Sequence, residues 1–358
     1  MKRYRTVLGM AFIAMLPAML QAQIQRIVLQ GSGGPQVFEQ IDDALAAAQP
    51  NDKLYFSGGS FASSNGFVLD FPLHFIGAGI HPDSTNVTGT TTLTSITNGS
   101  DFTFTTGASG SSFTGIIFDP NGDIRYGTSI NDDDPTNMTF QRCRFIRSVR
   151  LGWHSVIADA STSSSTFDEC IFNYHLHGNG GTATVTRSIF DWQGAGNAVD
   201  LFRPTGLTLL NSVFLGSSGI GNTDGGIIAN NIFMKPTPPI WQSSGNTGSN
   251  NLVVASELFS DPGQNFGTNN ITNAVLSVIF VNYEGGGYEY TDDLHLAPGS
   301  AGIGAGNDGN DIGIYGSNSP YKPGAVPYNP HFVEADIAPA TDGNGNLPVN
   351  IKVSAQPN

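Results

Sequence analysis

Large apolar residues recur through the middle of the chain in a short figure whose last position is usually Phe. SFTGIIF ends at Phe118, TFQRCRF at Phe145, TFDECIF at Phe172, TVTRSIF at Phe190, TLLNSVF at Phe214 and GIIANNIF at Phe233. A weaker copy, GSNNLV, ends at Val253. Successive ends lie 27, 27, 18, 24, 19 and 20 residues apart. That period is too short and uneven for propeller blades, and it fits the coils of a solenoid whose loops differ in length.

The columns of this alignment predict the shape of one coil. Five positions before each end stand Phe113, Phe140, Phe167, Val185, Leu209 and Ile228, all apolar. In one straight strand, positions five apart face opposite sides. Both can reach one core only if the chain bends between them. The bend is expected three or four residues before the end, where Gly115, Asn211, Asn230 and Asn250 tolerate left-handed backbone. Two before the end stand Ile116, Cys143, Cys170, Ser188, Ser212, Asn231 and Asn251, an expected internal ladder of small polar groups. The only two cysteines of the chain thus fall on neighbouring coils. A disulfide and a stack of two buried thiols are both compatible with that placement.

The flanks differ. Val37, Ile41, Leu45 and Ala48 make one apolar stripe between Pro35 and Pro50, which predicts a capping helix over 36–49. Glycine-punctuated strands follow in KLYFSGGSF and GFVLDFPLHFIGAG. After Gly316 the chain turns Pro-rich in SNSPYKPGAVPYNP, and FVEADIAPA and LPVNIKVSA flank TDGNGN as a β-hairpin. This tail is expected to fold back over the solenoid's end or, as the alternative, to pair with a partner's sheet edge. At the other end, MKRYR, an apolar run and the small-residue close LQAQ read as a signal peptide over 1–22. The apolar run is short and broken by Pro, unlike a membrane span. The expected organisation is a signal peptide at 1–22, a solenoid at 23–316 and a tail at 317–358.

Composition narrows the function. Glycine is 45 of 358 residues and only 12% are charged, but the periodic Phe separates this chain from disordered ones. The net charge of −14 falls by three, to −17, without Lys2, Arg3 and Arg5. Such a surface argues against nucleic acid and anionic membrane as partners, and it suits a polyanionic glycan only at a local basic patch. A secreted location, extracellular, at the cell surface or periplasmic, follows from the leader.

The succession of helix, PNDKLYFSGGSF, FVLDFPLHFIGAG and Phe-ended coils resembles the pectate-lyase-like right-handed parallel β-helix superfamily of secreted bacterial proteins. LAPGSAGIGAGNDGNDIGIYG, 296–316, is similar to the closing coil of many such chains. The resemblance implies the fold. Its members include pectate and alginate lyases, galacturonidases, pectin esterases and surface proteins with no known reaction. The lyases of that superfamily pair an acidic calcium cluster with an Arg or Lys base, and no such motif carries over residue by residue.

Candidate chemistry is therefore local. The two longest coils and their successors hold Arg147, Arg150, Trp153, His154 and Asp159, then Tyr174, His175 and His177, then Asp191, Trp192, Asp200 and Arg203. Aromatic rings stack on sugar faces, and Arg, His and Asp bond hydroxyls or carboxylates, so the cluster predicts a polysaccharide-binding surface. In the bland alternative Trp153 is core, the arginines line solvated coil edges and the histidines end turns. In a lyase, Arg150 or His154 would be the proton-abstracting base. Asp119, Asn121 and Asp123 have the alternate spacing of calcium loops, and Asp132, Asp133 and Asp134 lie in the same coil. DPNG is also an ordinary turn sequence. Two readings stand: a non-catalytic extracellular protein that binds a glycan or a surface partner, and a lyase or hydrolase acting on a uronic-acid polymer.

Overall fold

The structure is a computed structural model that describes residues 25–82, 87–129, 133–153, 161–216, 219–322, 331–338 and 340–355. Of the side chains of His331 and Ile337 nothing is described. The expected signal peptide lies outside the described residues.

The chain is a right-handed parallel β-helix. Each coil places one strand in each of three parallel sheets, as in Thr182–Thr186, Ile189–Phe190 and Val199–Asp200. Beyond two antiparallel edge strands, the first sheet runs parallel from Lys53–Phe56 to Phe266–Thr268, the second from Gly59–Ser63 to Leu252–Val253, and the third from Phe67–Leu69 to Ile240–Trp241. The bend between the first two strands falls on the expected column. Gly115, Arg142, Glu169, Arg187, Asn211, Asn230 and Asn250 have φ between 48° and 68°. Glycine and asparagine enter this left-handed region readily, whereas Arg and Glu need help from their surroundings.

Two inward columns form continuous stacks. Phe118, Phe145, Phe172, Phe190, Phe214 and Phe233 follow one another with centroids 4.4 to 5.3 Å apart. Phe113, Phe140 and Phe167 stack 5.0 Å apart in the facing column. Each such pair contributes about 0.5–1.5 kcal/mol beyond the area it buries. Beside them, the small polar column bonds from coil to coil. Cys170 N donates to Ser188 Oγ (3.1 Å), Ser188 N to Ser212 Oγ (3.1 Å), Ser212 N to Asn231 Oδ1 (2.8 Å) and Asn231 N to Asn251 Oδ1 (2.9 Å). Cys143 and Cys170 are both buried free thiols, which resolves the open alternative.

The ends depart from expectation. The helix is only Ile41–Ala47, because Gly34–Phe38 is a strand that pairs antiparallel with Ile27–Gly31. Pro35 sits in that edge strand, where a missing N–H is tolerated, and Val37 is exposed. Ile41 and Ala44 still cover the first coil. Residues 296–316 add no coil either. Gly313 N donates to Asn230 O (2.8 Å), Asn230 Nδ2 to Asn307 Oδ1 (2.8 Å), Asn211 Nδ2 to Gly316 O (3.0 Å) and Arg187 to Ser319 O (2.6 Å). The segment is a strap that runs back along the bends from coil to coil. Ile279, Phe280, Leu294, Ile312, Ile314 and Tyr321 bury the outward column Ile171, Ile189, Val213, Ile232 and Leu252 of the second sheet. Under the strap Arg142 and Glu169 pair at 3.1 Å, both with no exposed side chain, and Lys322 N donates to Glu169 Oε2 (3.1 Å). Beyond it, His331–Ile337 and Val349–Ser354 form the expected antiparallel hairpin.

Candidate functional site

The third sheet carries the chemistry. In its last six strands Ile124, Val149, Leu176, Val199, Ile220 and Ile240 point inward, all at most 1% exposed. Side chains alternate along a strand, so the next residue faces out. Register then aligns Thr103, Arg125, Arg150, His177, Asp200, Gly221 and Trp241 in one row along the axis. Neighbours in such a row are about 4.8 Å apart along the axis.

The charges in the row are engaged. Arg125 Nε donates to Asp101 Oδ2 (2.9 Å), and its NH2 lies 3.7 Å from Asp123 Oδ2. Arg150 Nε donates to the same Asp123 oxygen (2.7 Å). His177 Nδ1 pairs with Asp200 Oδ1 at 2.5 Å. His175 stacks on His177 with centroids 5.0 Å apart, and its Nδ1 donates to Asn197 O (2.5 Å). Burial pushes the His175 imidazolium pKa down, which favours the neutral ring. The Trp241 indole donates to Asn197 Oδ1.

Aromatic side chains flank the row on both sides. The Arg125 guanidinium lies 5.2 Å from the Trp153 ring, and Trp153 is 40% exposed. Across the row, half-buried Trp192 contacts Tyr174 (4.3 Å) and His175 (4.6 Å), and its Nε1 donates to Ala195 O (3.1 Å). Tyr174 is exposed.

Of the residues singled out from sequence, Arg150, His177 and Asp200 lie in the row, and Trp153, His175 and Trp192 border it. Arg147 and Asp191 do not gather there. Arg147 sits at the coil corner, bonded to Pro120 O (3.2 Å) and 3.7 Å from Asp119. Asp191 is buried on the strap side, where it accepts from Tyr288 N (2.7 Å) and Asn173 Nδ2 (2.8 Å). Burial pushes its carboxyl pKa up. Arg203 lies in the turn before Leu207–Leu210, where its carbonyl accepts from Gly206 N (2.8 Å). His154 and Asp159 lie outside the described residues.

The expected calcium trio is dispersed among other tasks. Asp119 faces Arg147, Asp123 holds two arginines, and Asn121 is bonded to the Ser95 backbone and hydroxyl. Among the described residues no three His, Cys, Asp or Glu side chains gather as metal ligands. Sequence reasoning missed Arg125, Asp101, Asn197 and Trp241. The signal was available in Ile124-Arg125, Val149-Arg150, Leu176-His177 and Val199-Asp200, one apolar residue followed by one polar residue in each coil.

No family model matches the chain, and no curated protein matches it.

Proposed function

We propose that the protein is a secreted, non-catalytic β-helix of the pectate-lyase-like kind that binds a glycan along the outer face of its third sheet. The observation that carries this reading is the row Arg125, Arg150, His177 and Asp200, set at strand spacing and bordered by Trp153 on one side and Tyr174 and Trp192 on the other. Such a row presents two guanidinium donors, an imidazole and a carboxylate acceptor in succession to a linear chain of hydroxyls, with rings at its margins for stacking. The arginines are already neutralised by Asp101 and Asp123. The row is therefore no basic patch, and it suits a neutral glycan better than a polyuronate. The leader-like first residues and the acidic surface are consistent with a secreted protein.

The test is affinity electrophoresis of the purified protein through soluble neutral glucans, mannans and xylans, with polygalacturonate as the charged comparison. Retardation by a neutral polymer that Trp153→Ala abolishes is the expected result. Retardation only by polygalacturonate, or none by any polymer, overturns the proposal.

A second reading rests on the His177–Asp200 pair. A carboxylate on Nδ1 fixes the tautomer and leaves Nε2 free to take a proton, beside Arg150 in the next coil. That arrangement suits proton abstraction next to a uronate carboxylate. New unsaturated ends in a uronic-acid polymer, lost in His177→Ala, would establish it.

A further inference from the structure

The two ends of the solenoid are finished differently. At the first coil, Ile41 and Ala44 of the helix are buried. At the last, Phe266–Thr268 is the terminal strand of the first sheet, and Phe266 is 67% exposed. Exposed Phe266 and buried Leu258 and Phe259 border an open cavity of about 700 Å³, and Val275, Leu276 and Val278 further along the chain are exposed. An unpaired edge beside apolar side chains is a site of unwanted association unless it is covered.

The same chain carries an apolar surface of matching kind. In the C-terminal hairpin, Ala335 pairs with Ile351 and Phe332 with Val353, so these residues share one face with Val349. Phe332, Val349, Ile351 and Val353 are 44–52% exposed. Glu334, Lys352, Asp336 and Asn350 take the other face. A lone two-stranded hairpin is marginal in water and needs a further surface to pack against.

We propose that the hairpin is a tethered end cap, its apolar face closing over Phe266 and the cavity beside it at the end of its own solenoid. The tether decides between its own end and another molecule's. The strap leaves Lys322 bonded at the coil of Glu169, five strands of the first sheet short of Phe266–Thr268. At strand spacing that is about 24 Å. Residues 323–330 number eight, including Pro323, Pro327 and Pro330. Eight residues reach at most about 26–29 Å, enough to cover that distance. A tether long enough to reach makes capture an intramolecular event, which favours the hairpin's own end.

Hydrogen–deuterium exchange on the full chain tests this at several protein concentrations. The amides of Phe266–Thr268 should exchange at least about tenfold faster in Ile351→Asp/Val353→Asp than in the native sequence. Those of Thr182–Thr186 should not change. A chain ending at Lys322 should match the double variant, which removes any dependence on how the variant hairpin folds. Sedimentation should show a monomer throughout. Equal exchange in all three chains overturns the proposal. Protection that disappears on dilution, or a dimer in sedimentation, overturns it in favour of capture by a second copy.

Discussion

The second and third sheets are built from the same coils, yet their outer faces have opposite fates. On the second, the outward column is Ile171, Ile189, Val213, Ile232 and Leu252, and the strap buries it. On the third, it is Arg125, Arg150, His177 and Asp200, and nothing described covers it beyond the ring of Trp153. A parallel β-helix has no inherent inside and outside beyond its core, so each outward column is free to specialise. An apolar column obliges the chain to supply a cover, and here the cover is the chain's own continuation. A polar column leaves the face to solvent and ligands. The strap explains why charged residues tolerate burial on one side, and the open row explains where binding chemistry is found.

The contrast is sharpest at Arg142 and Glu169. Both occupy left-handed bends and are fully buried beneath the strap. Removing one partner of a buried pair strands the other charge, at a cost of about 3–5 kcal/mol. Glu169→Ala should therefore lower the denaturation midpoint far more than any single change in the third-sheet row. Replacing both, with Arg142→Met and Glu169→Leu, should recover most of the loss in the same urea titration. A Glu169→Ala protein as stable as the parent would show that the strap does not seal this region.

Next in size is the apolar column itself. Ile232 is buried, and its side chain approaches Gly313 of the strap. Ile232→Ala should cost about 2–5 kcal/mol, as buried aliphatic truncations do. Thermal unfolding checks it. A loss below about 1 kcal/mol would mean that the strap follows the cavity and that its contact is soft.

Much of this was legible in the sequence, and what was not has physical reasons. The Phe ends, the bend column and the internal ladder all follow from two faces competing for one core, a constraint local to each coil. Phe118 to Phe233 stack as the spacing predicts, and Cys143 and Cys170 occupy the inward ladder. The helix was read too long because Val37, Ile41 and Leu45 keep helical spacing although Val37 lies in an edge strand. The strap was read as a coil because glycine-rich turns look alike whether they close a coil or cross several. The row on the third sheet escaped for a different reason. Its members lie about 25 residues apart and only register brings them together, so proximity in sequence grouped Arg147 and Asp191 with them although the fold turns both to other places.

The strap also predicts a pH dependence. Burial lifts the Asp191 carboxyl pKa above its ordinary value of 3.8, against the opposing pull of Tyr288 N, Gln193, Asn173 and Arg144. The folded protein then binds this proton more tightly than the unfolded chain does. Its contribution to stability is greatest below 3.8 and falls as pH rises through the raised folded value. Asp191→Asn removes the titration. The difference in unfolding free energy between variant and parent should move in the variant's favour across that window and stay level above it. A flat difference from acid to neutral pH would mean that Asp191 titrates as an ordinary surface carboxyl.

The smallest change in stability is expected on the open face, and it is there that function should respond. Arg150 and Asp123 are about three-quarters buried at the side-chain level yet lie at a solvent boundary, where ion pairs contribute about 0–1 kcal/mol. Arg150→Ala should leave the unfolding midpoint nearly unchanged, since Asp123 retains Arg125 at 3.7 Å. The same substitution removes a donor from the centre of the row, between Arg125 and His177. Binding to the neutral polymer identified by affinity electrophoresis should weaken by about 1–3 kcal/mol if that donor meets a sugar hydroxyl. Because the row's charges are internally paired, added salt should alter the binding little, whereas a contact between exposed charges would weaken steeply. A strong salt dependence would show that the pairs open to receive an anion, and the third sheet would then be a polyuronate surface in spite of its neutral resting state.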